Sequence, residues 1–206
     1  MTGSRATGPT TVADRSSWSL RSARRASSPR AKRGRVSLAV VNSPSSSVLA
    51  GDLNTLRAIE AELTERGVFC RPVSVDVASH SRDVDLLRPE LTAALGEIRP
   101  GPPAVGMLCT VCCAPLTGPE LDACCWMDNL RRPVRFAESA AAMAAVGDHV
   151  SLEISPHPVL TAAIEETLTV AGATARTAAS LRRHQSEAAR MARAASRLFT
   201  HGARLD

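Results

Sequence analysis

The chain has 206 residues, which is enough for one ordinary domain or for a small domain with tails. Hydrophobic residues make up 44% of it, yet aromatic residues only 2% and tyrosine is absent, so alanine, leucine and valine must fill most of the interior. The net charge is +5, no apolar run could span a bilayer, and the N-terminus lacks the apolar core of a secretory signal; these features disfavour membrane and exported proteins and predict a cytoplasmic location.

The first residues are strongly basic. Nine lysine and arginine residues precede Val36, whereas Asp14 is the single acidic residue in that stretch. Residues 1–34 are also rich in Ser and Thr, so we expect a basic, disordered leader. Such a tail can bind nucleic acid, and a basic nucleic-acid-binding protein is therefore one alternative function. Because aromatic residues and a helical stripe are lacking there, a disordered or aberrant leader is the preferred interpretation.

The ordered part is predicted to begin at Val36 with two short strands, 36–41 and 47–50. Asp52 is a predicted N-cap, and the helix after it carries a stripe of three apolar residues before Gly67 ends it: Leu56, Ile59 and Leu63. Residues 69–77 alternate as a third strand, and the odd-numbered positions, which include Phe69 and Val73, are expected to share one face.

The second half of the chain alternates helical and strand-like patterns. We predict helices over 83–98, 134–146 and 159–170, strands over 105–111 and 150–154, and a basic amphipathic helix within 181–199. Such alternation is typical of an α/β fold with a parallel sheet in its later part.

The leading candidate for chemistry is a histidine at the end of a strand-like run. His80 follows residues 75–79 and enters a polar turn, where enzymes place a general base. A base needs a group to deprotonate, and its usual partner, a serine in a G-x-S-x-G elbow, occurs nowhere in these 206 residues. By itself, a loop histidine more often makes a structural hydrogen bond.

The six cysteines raise the question of a metal site: Cys70, Cys109, Cys112, Cys113, Cys124 and Cys125. Cys109-x-x-Cys112 followed by an adjacent pair has features of a zinc site. Adjacent cysteines cannot both ligate one ion comfortably, and no histidine lies between them. We therefore predict no metal, and reduced thiols of the kind that cytosolic proteins carry.

Four segments resemble, in order and spacing, the acyltransferase domain of modular (type I) polyketide synthases. They are VVNSP at 40–44, VASHS at 77–81, WMDNLRRPVRF at 126–136 and ISPHPVL at 154–160. Residues 181–183 and 201–206 resemble the linker that follows that domain. The resemblance covers about Arg35 to Asp206, and it implies a large subdomain like that of α/β hydrolases with a small ferredoxin-like subdomain inserted.

On this resemblance, residues 35–80 form a partial ferredoxin-like subdomain and residues 81–172 the C-terminal part of the acyltransferase α/β subdomain. Residues 173–206 form the linker with its basic helix. The nucleophile elbow, the elements before it, and the first strand and helix of the insert are expected to be absent. The predicted fold class is therefore α/β, a partial acyltransferase fold whose exposed sheet edges should make the isolated chain poorly stable.

The resemblance implies a Ser/His mechanism. The family moves a malonyl or methylmalonyl group from coenzyme A to a serine and then to the phosphopantetheine thiol of an acyl carrier protein, without a bound cofactor. His80 matches the catalytic histidine, which removes the serine proton. Asn129 matches a position that orients this histidine, although an asparagine at a helix C-terminus often caps its own backbone instead. For Arg131, Arg135 and His157, which also lie in family motifs, we expect structural roles.

By the same resemblance, three residues are candidates for binding the substrate. The family grips the free malonyl carboxylate with an arginine in a helical Leu-Arg-Ser stretch, so Arg21 is the candidate here. Val77 and Ser79 occupy positions at which the residues of family members correlate with the acyl group that they transfer. Val-Ala-Ser-His is closer to the Tyr-Ala-Ser-His of methylmalonyl enzymes than to the His-Ala-Phe-His of malonyl enzymes, and the small Ser79 leaves room for a branched acyl group.

These observations lead to one main functional hypothesis and two alternatives. The main hypothesis is a truncated polyketide synthase acyltransferase that is inactive alone, because the serine is missing. A complementing half of a split synthase, whose other chain supplies the serine, is the first alternative. The basic nucleic-acid-binding protein is the second. The expected partners are an acyl carrier protein, other synthase domains and acyl-coenzyme A, but neither nucleic acid nor a membrane.

Overall fold

The computed structural model describes residues 15–21, 34–73, 75 and 77–204, the first of these ranges as backbone only. Its N-terminal part is a four-stranded antiparallel sheet. The strands are β1 (Arg15–Arg21), β2 (Val36–Ser43), β3 (Ser46–Asp52) and β4 (Phe69–Val73), in the spatial order β2-β3-β1-β4. This order and these directions are those of a ferredoxin-like unit, as the resemblance implied.

Strand β1 differs from two sequence-based expectations. It lies inside the segment 1–34 that was expected to be disordered, and it supplies the first strand of the insert that was expected to be absent. It pairs with β3 on one side and β4 on the other, so Arg15 stands opposite Asp52 and Ser17 opposite Val73. Strand pairing with distant segments is a tertiary property, and the composition of a Ser- and Arg-rich segment does not reveal it.

Helix α1 (Leu53–Glu65) covers one face of this sheet and confirms its local prediction. The Asp52 carboxylate accepts a hydrogen bond from the Thr55 N–H at 2.9 Å, which satisfies one of the unpaired N–H groups of the first turn. The predicted apolar stripe is buried: Leu56, Ile59 and Leu63. Cys70 packs against this cluster whereas Phe69 is 58% exposed, so successive residues of β4 lie toward and away from α1.

The single helix predicted over 83–98 is divided in two. A 3-10 helix spans Arg82–Leu87, and α2 (Arg88–Leu95) follows with Pro89 in its first turn. Proline has no N–H to donate to a preceding carbonyl, so a regular helix begins at Pro89 more easily than it passes through it. Val84 is buried in this region, while Leu86 is 81% exposed.

The rest of the chain consists of short strands and helices. Only two residues of the strand predicted over 105–111 are extended, as β5 (Met107–Leu108), which pairs with β6 (Pro115–Leu116). Helices α3 (Ala123–Arg131) and α4 (Phe136–Val146) come next. Strands β7 (Ser151–Glu153) and β8 (Thr177–Ala179) form a parallel pair around α5 (Thr161–Val170), and α6 (Glu187–Thr200) packs on β8. The parallel arrangement and β7 agree with the sequence analysis, which did not predict β8.

The parallel pair β7–β8 has large apolar side chains exposed around it, among them Val146, Ile154, Val159 and Val170. Parallel sheets in proteins are normally covered on both faces. The chain therefore presents apolar surface that a larger sheet would bury. In the described part of the chain, none of the helices has the length and apolar character needed to cross a bilayer.

Candidate active site around His80

His80 lies in the turn between β4 and the 3-10 helix, in a backbone conformation that is unusual for a side-chain-bearing residue. Its φ is 59°, in the left-handed region. Two hydrogen bonds to the C-terminal end of α3 hold it there: its N–H donates to the Leu130 carbonyl at 2.9 Å, and its ring Nδ1 lies 3.0 Å from the Arg132 carbonyl. These contacts overcome the cost of the left-handed conformation.

The bond to Arg132 determines which ring nitrogen can act as a base. A carbonyl oxygen accepts hydrogen bonds and cannot donate, so the His80 ring donates from Nδ1. In the neutral ring this leaves Nε2 with its lone pair available to accept a proton. The imidazole is half-buried. The geometry therefore presents one oriented imidazole whose Nε2 can act as a base.

Ser81 fixes the chain next to the histidine. It is buried, and its Oγ donates to the Ala78 carbonyl at 2.7 Å and accepts from the Asp83 N–H at 3.1 Å. Ala78 in turn is buried in a cluster with Ala39 and Ala50 of the sheet. The turn that carries His80 is thus held from the sheet side as well as from α3.

A largely apolar pocket of about 520 Å³ opens beside His80. Val77 and Ser79, which the sequence singled out for substrate binding, both line it. Five further residues complete its wall: Ala39, Val40, Val48, Val73 and Val75. An apolar cavity with one convergent ionisable group is the usual form of a small-molecule site.

The pocket wall is joined to the segment that holds the histidine. The Val134 N–H donates to the Ala39 carbonyl at 2.8 Å, and the Val41 N–H donates to the Val134 carbonyl at 2.9 Å. Val134 follows Arg132 by two residues. The pocket wall in β2 and the carbonyl that orients His80 therefore belong to one hydrogen-bonded unit.

The structure places the other predicted site residues differently. Asn129 is exposed on α3, and the hydrogen bond to the His80 ring comes from the Arg132 backbone, so an orienting role for the Asn129 side chain stays a prediction. Arg21 ends β1, opposite Ser46 and Phe69, in a strand rather than in the helix that the family motif implied. Its side chain lies outside the described part of the chain.

The residues for which structural roles were expected make contacts that support those roles. Arg131 Nε lies 2.8 Å from Asp85, and Arg135 forms an ion pair with Glu138. The Arg183 N–H donates to His157 Nδ1 at 3.4 Å, which attaches the Pro-His-Pro turn to the linker segment.

A residue that the sequence analysis missed is Glu153 at the end of β7. Burial raises the pKa of its carboxyl, but hydrogen bonds outweigh burial and leave that pKa below its usual range. The donors, at 2.7–3.0 Å, are the N–H groups of Val159, Leu160 and Thr161 and the hydroxyls of Thr161 and Ser155. An acid at a strand end shortly before a helix start is a sequence signal for such a cap.

The cysteines do not form the zinc site that their spacing suggested. All six are free thiols. Within the described ranges, no group of three or more His, Cys, Asp or Glu side chains could hold a metal ion.

Comparison with known proteins identifies the family. Residues 4–205 match the family model described as "Acyl transferase domain". The chain is also 42% identical over 174 residues to the polyketide synthase GfsB of Streptomyces halstedii, a match that covers 84% of this chain and 3% of that protein. The chain belongs to the acyltransferase domains of modular type I polyketide synthases. The match starts at residue 4, well before the boundary near Arg35 that the sequence motifs indicated.

Solved acyltransferase domains share the fold. The domain from module 8 of the salinomycin synthase superposes with a TM-score of 0.88 at 37% identity, and the match covers 94% of this chain and 46% of that one. The SpnD acyltransferase domain, solved in complex with 2-(pent-4-yn-1-yl)malonyl, gives a TM-score of 0.80 at 28% identity over 92% of this chain and 47% of that one. This acyltransferase chain thus spans about half the length of these two domains.

Proposed function

We propose that this chain is the histidine-bearing part of an acyltransferase that moves a malonyl-type group from coenzyme A, through a serine ester, to the phosphopantetheine thiol of an acyl carrier protein. The observation that carries the proposal is His80 itself. Its Nδ1 is bound to the Arg132 carbonyl, its Nε2 is available as a base, and it lines an apolar pocket with Val77 and Ser79.

The chemistry follows from that geometry. The Nε2 atom takes the proton of a serine hydroxyl, and the oxygen attacks the thioester carbonyl of acyl-coenzyme A. The coenzyme A thiolate leaves and is protonated by the imidazolium. In the second half-reaction, His80 takes the proton of the phosphopantetheine thiol, whose sulfur attacks the serine ester, and the proton returns to the serine oxygen.

We further propose that the serine comes from a polypeptide segment that completes the parallel sheet. These 206 residues contain no G-x-S-x-G elbow. The exposed apolar residues around β7–β8, such as Ile154 and Val159, supply the surface on which such a segment would pack. The match covers 46% of the salinomycin module 8 domain, so the unmatched part of that domain is about as long as the matched part. An additional segment of this size agrees with the proposal.

The test is acylation with and without that segment. Incubated alone with malonyl- or methylmalonyl-coenzyme A, the chain is expected to gain no acyl group in an intact mass measurement. Coexpressed with the remaining, serine-bearing part of the salinomycin module 8 domain, it is expected to co-purify, and the partner's serine should become acylated.

A matched control replaces the elbow serine of that added segment by alanine, which should abolish the adduct without affecting co-purification. An adduct on the isolated chain that disappears when one of its own serines is mutated would contradict the proposal. Co-purification without acylation would instead favour an inert remnant.

For the carboxylate of the acyl group, Arg21 remains the proposed ligand. Its place in the sheet supports this role, because Ser19, two residues earlier in β1, pairs with the pocket-lining Val48. Consecutive odd-numbered positions of a strand lie on one face of a sheet. A guanidinium is suited to a carboxylate since it can donate two parallel hydrogen bonds.

We also propose that the pocket prefers a methylmalonyl group. Ser79 lines the pocket, and replacing it by phenylalanine is expected to lower the ratio of methylmalonyl to malonyl transfer by about tenfold or more, since a mismatched methyl group is worth about 1–3 kcal/mol. Competition between the two coenzyme A esters in the complemented enzyme measures the ratio. Ser196→Phe, on the exposed side of α6, is the matched control. An unchanged ratio in Ser79→Phe would show that this side of the pocket does not select the acyl group.

A further inference from the structure

The turn from Cys109 to Cys113 holds a pair of thiols with no part in the mechanism above. The Cys113 N–H donates to the Cys109 carbonyl at 2.8 Å, so the chain makes one helical turn here. Residues three apart in a helical turn have Cα atoms about 5 Å apart. Cys109 and Cys112 are three apart, and this separation lies within the roughly 4.4–6.8 Å between Cα atoms that a disulfide spans.

The two thiols differ in environment. Cys109 is buried, and its sulfur accepts the Val111 N–H at 3.3 Å. Cys112 lowers the pKa of the Cys109 thiol through its backbone and its thiol, while its own side chain is exposed. The Cys109 sulfur is thus buried with an N–H donor, and the Cys112 side chain is open to solvent.

The donors decide the ionisation of Cys109. Burial raises the pKa of its thiol, but the hydrogen bonds from Cys112 and Val111 and the Arg132 guanidinium outweigh burial, so the pKa lies below its ordinary value. For Cys125 and Cys70 burial is also the largest cause, and there the pKa is raised. Since the thiolate is the nucleophile, a lowered pKa favours reaction at Cys109 over these two thiols.

We propose that Cys109 and Cys112 form a dithiol site that hydrogen peroxide oxidises to an intramolecular disulfide, with Cys109 oxidised first and Cys112 as the resolving thiol. The Cys109 thiolate attacks one peroxide oxygen, the O–O bond breaks, and hydroxide leaves and becomes water; Cys109 is then a sulfenic acid. Cys112 loses its proton and attacks the Cys109 sulfur, and the S–O bond breaks as a second water leaves. Two thiols and one peroxide give one disulfide and two waters.

The site lies next to residues that support the active site. The Arg135 N–H donates to the Thr110 carbonyl at 2.8 Å, and the Arg135 Nη1 lies 3.4 Å from the Val111 carbonyl. Arg135 follows Val134, whose backbone is bonded to the pocket wall. The disulfide therefore closes the turn to which Arg135, in the segment after α3, is hydrogen-bonded.

The test treats the full chain with hydrogen peroxide, blocks remaining thiols and digests with trypsin and a glutamate-specific protease. Cleavage after Glu97 and Glu120 isolates Cys109, Cys112 and Cys113 from Cys124 and Cys125. We expect the 98–120 fragment to lose two hydrogens in the wild type and in the matched control Cys113→Ser. In Cys112→Ser we expect no disulfide and a sulfenic acid at Cys109 that dimedone traps. In Cys109→Ser, oxidation of the fragment should be at least about tenfold slower.

Three results would overturn the proposal: a disulfide that persists in Cys112→Ser, equal oxidation of all three thiols, or dimedone trapping at Cys112 in place of Cys109. Circular dichroism checks that each variant is folded. The wild type treated in urea supplies a readout that does not depend on variants, since unfolding should abolish the selectivity for Cys109. Selectivity that persists in urea would show that the sequence around Cys109, and not the folded turn, is responsible.

Discussion

Replacing His80 by alanine is expected to lower the rate of acyl transfer by about 10²–10⁴-fold in the enzyme completed with a serine-bearing segment. In the proposed mechanism the imidazole is the base for both half-reactions, and general-base catalysis contributes factors of this size. The loss should fall on kcat more than on KM, because the pocket walls that contact the acyl group remain. Transfer from methylmalonyl-coenzyme A to an acyl carrier protein, followed by mass spectrometry, measures the rate.

His149→Ala is the matched control for this experiment. His149 is likewise half-buried outside the helices and strands, with its Nδ1 against a backbone carbonyl, that of Gly147 at 2.9 Å, but it does not line the pocket. Its replacement should leave the rate of transfer unchanged. If His80→Ala kept more than about a tenth of the wild-type rate, the general-base role would be wrong, and the turn at residues 78–81 would be purely structural.

Replacing Glu153 by glutamine is expected to lower the free energy of unfolding by about 2–4 kcal/mol. The carboxylate accepts hydrogen bonds from three N–H groups at the start of α5 and from two hydroxyls, and it is buried. An amide offers one acceptor oxygen and turns an NH₂ group toward donors, which leaves buried polar groups unpaired. Urea unfolding of the full chain measures the loss.

The effect of Glu153 should depend on pH in a defined direction. Its pKa is lower in the folded chain than its usual value, so its contribution is complete above the unfolded carboxyl pKa of about 4.3 and is lost as pH falls through the folded value. The difference between wild type and Glu153→Gln should therefore be constant from neutral pH to about pH 5 and shrink below it.

Glu187→Gln is the matched control, because Glu187 is an exposed acid in the first turn of α6. It should change the free energy of unfolding by less than about 0.5 kcal/mol. A Glu153→Gln variant that is equally stable, or one whose deficit grows with acidification, would contradict the assigned role of the carboxylate.

Local features of the fold could be predicted from the sequence because each depends on neighbouring residues. The Asp52 cap needs only the N–H groups just after it, and the buried stripe of Leu56, Ile59 and Leu63 follows from the helical repeat. The four motifs identified the family, and the one around His80 supplied the candidate base, which stays a prediction. Where a pattern was short, the result was less reliable: the alternation over 69–77 predicted one strand, whereas β4 ends at Val73.

Features that depend on contacts between distant segments were decided by the tertiary structure. Strand β1 is a strand because β3 and β4 pair with it. The partner of the His80 ring is the carbonyl of Arg132, 52 residues away. Because every residue has a backbone carbonyl, this contact does not require a particular side chain at position 132. The sequence by itself thus determined the family and the local helix signals, and it pointed to His80 as the candidate base. The orientation of that base was decided only by folding, since hydrogen bonds between remote backbone groups carry no sequence pattern.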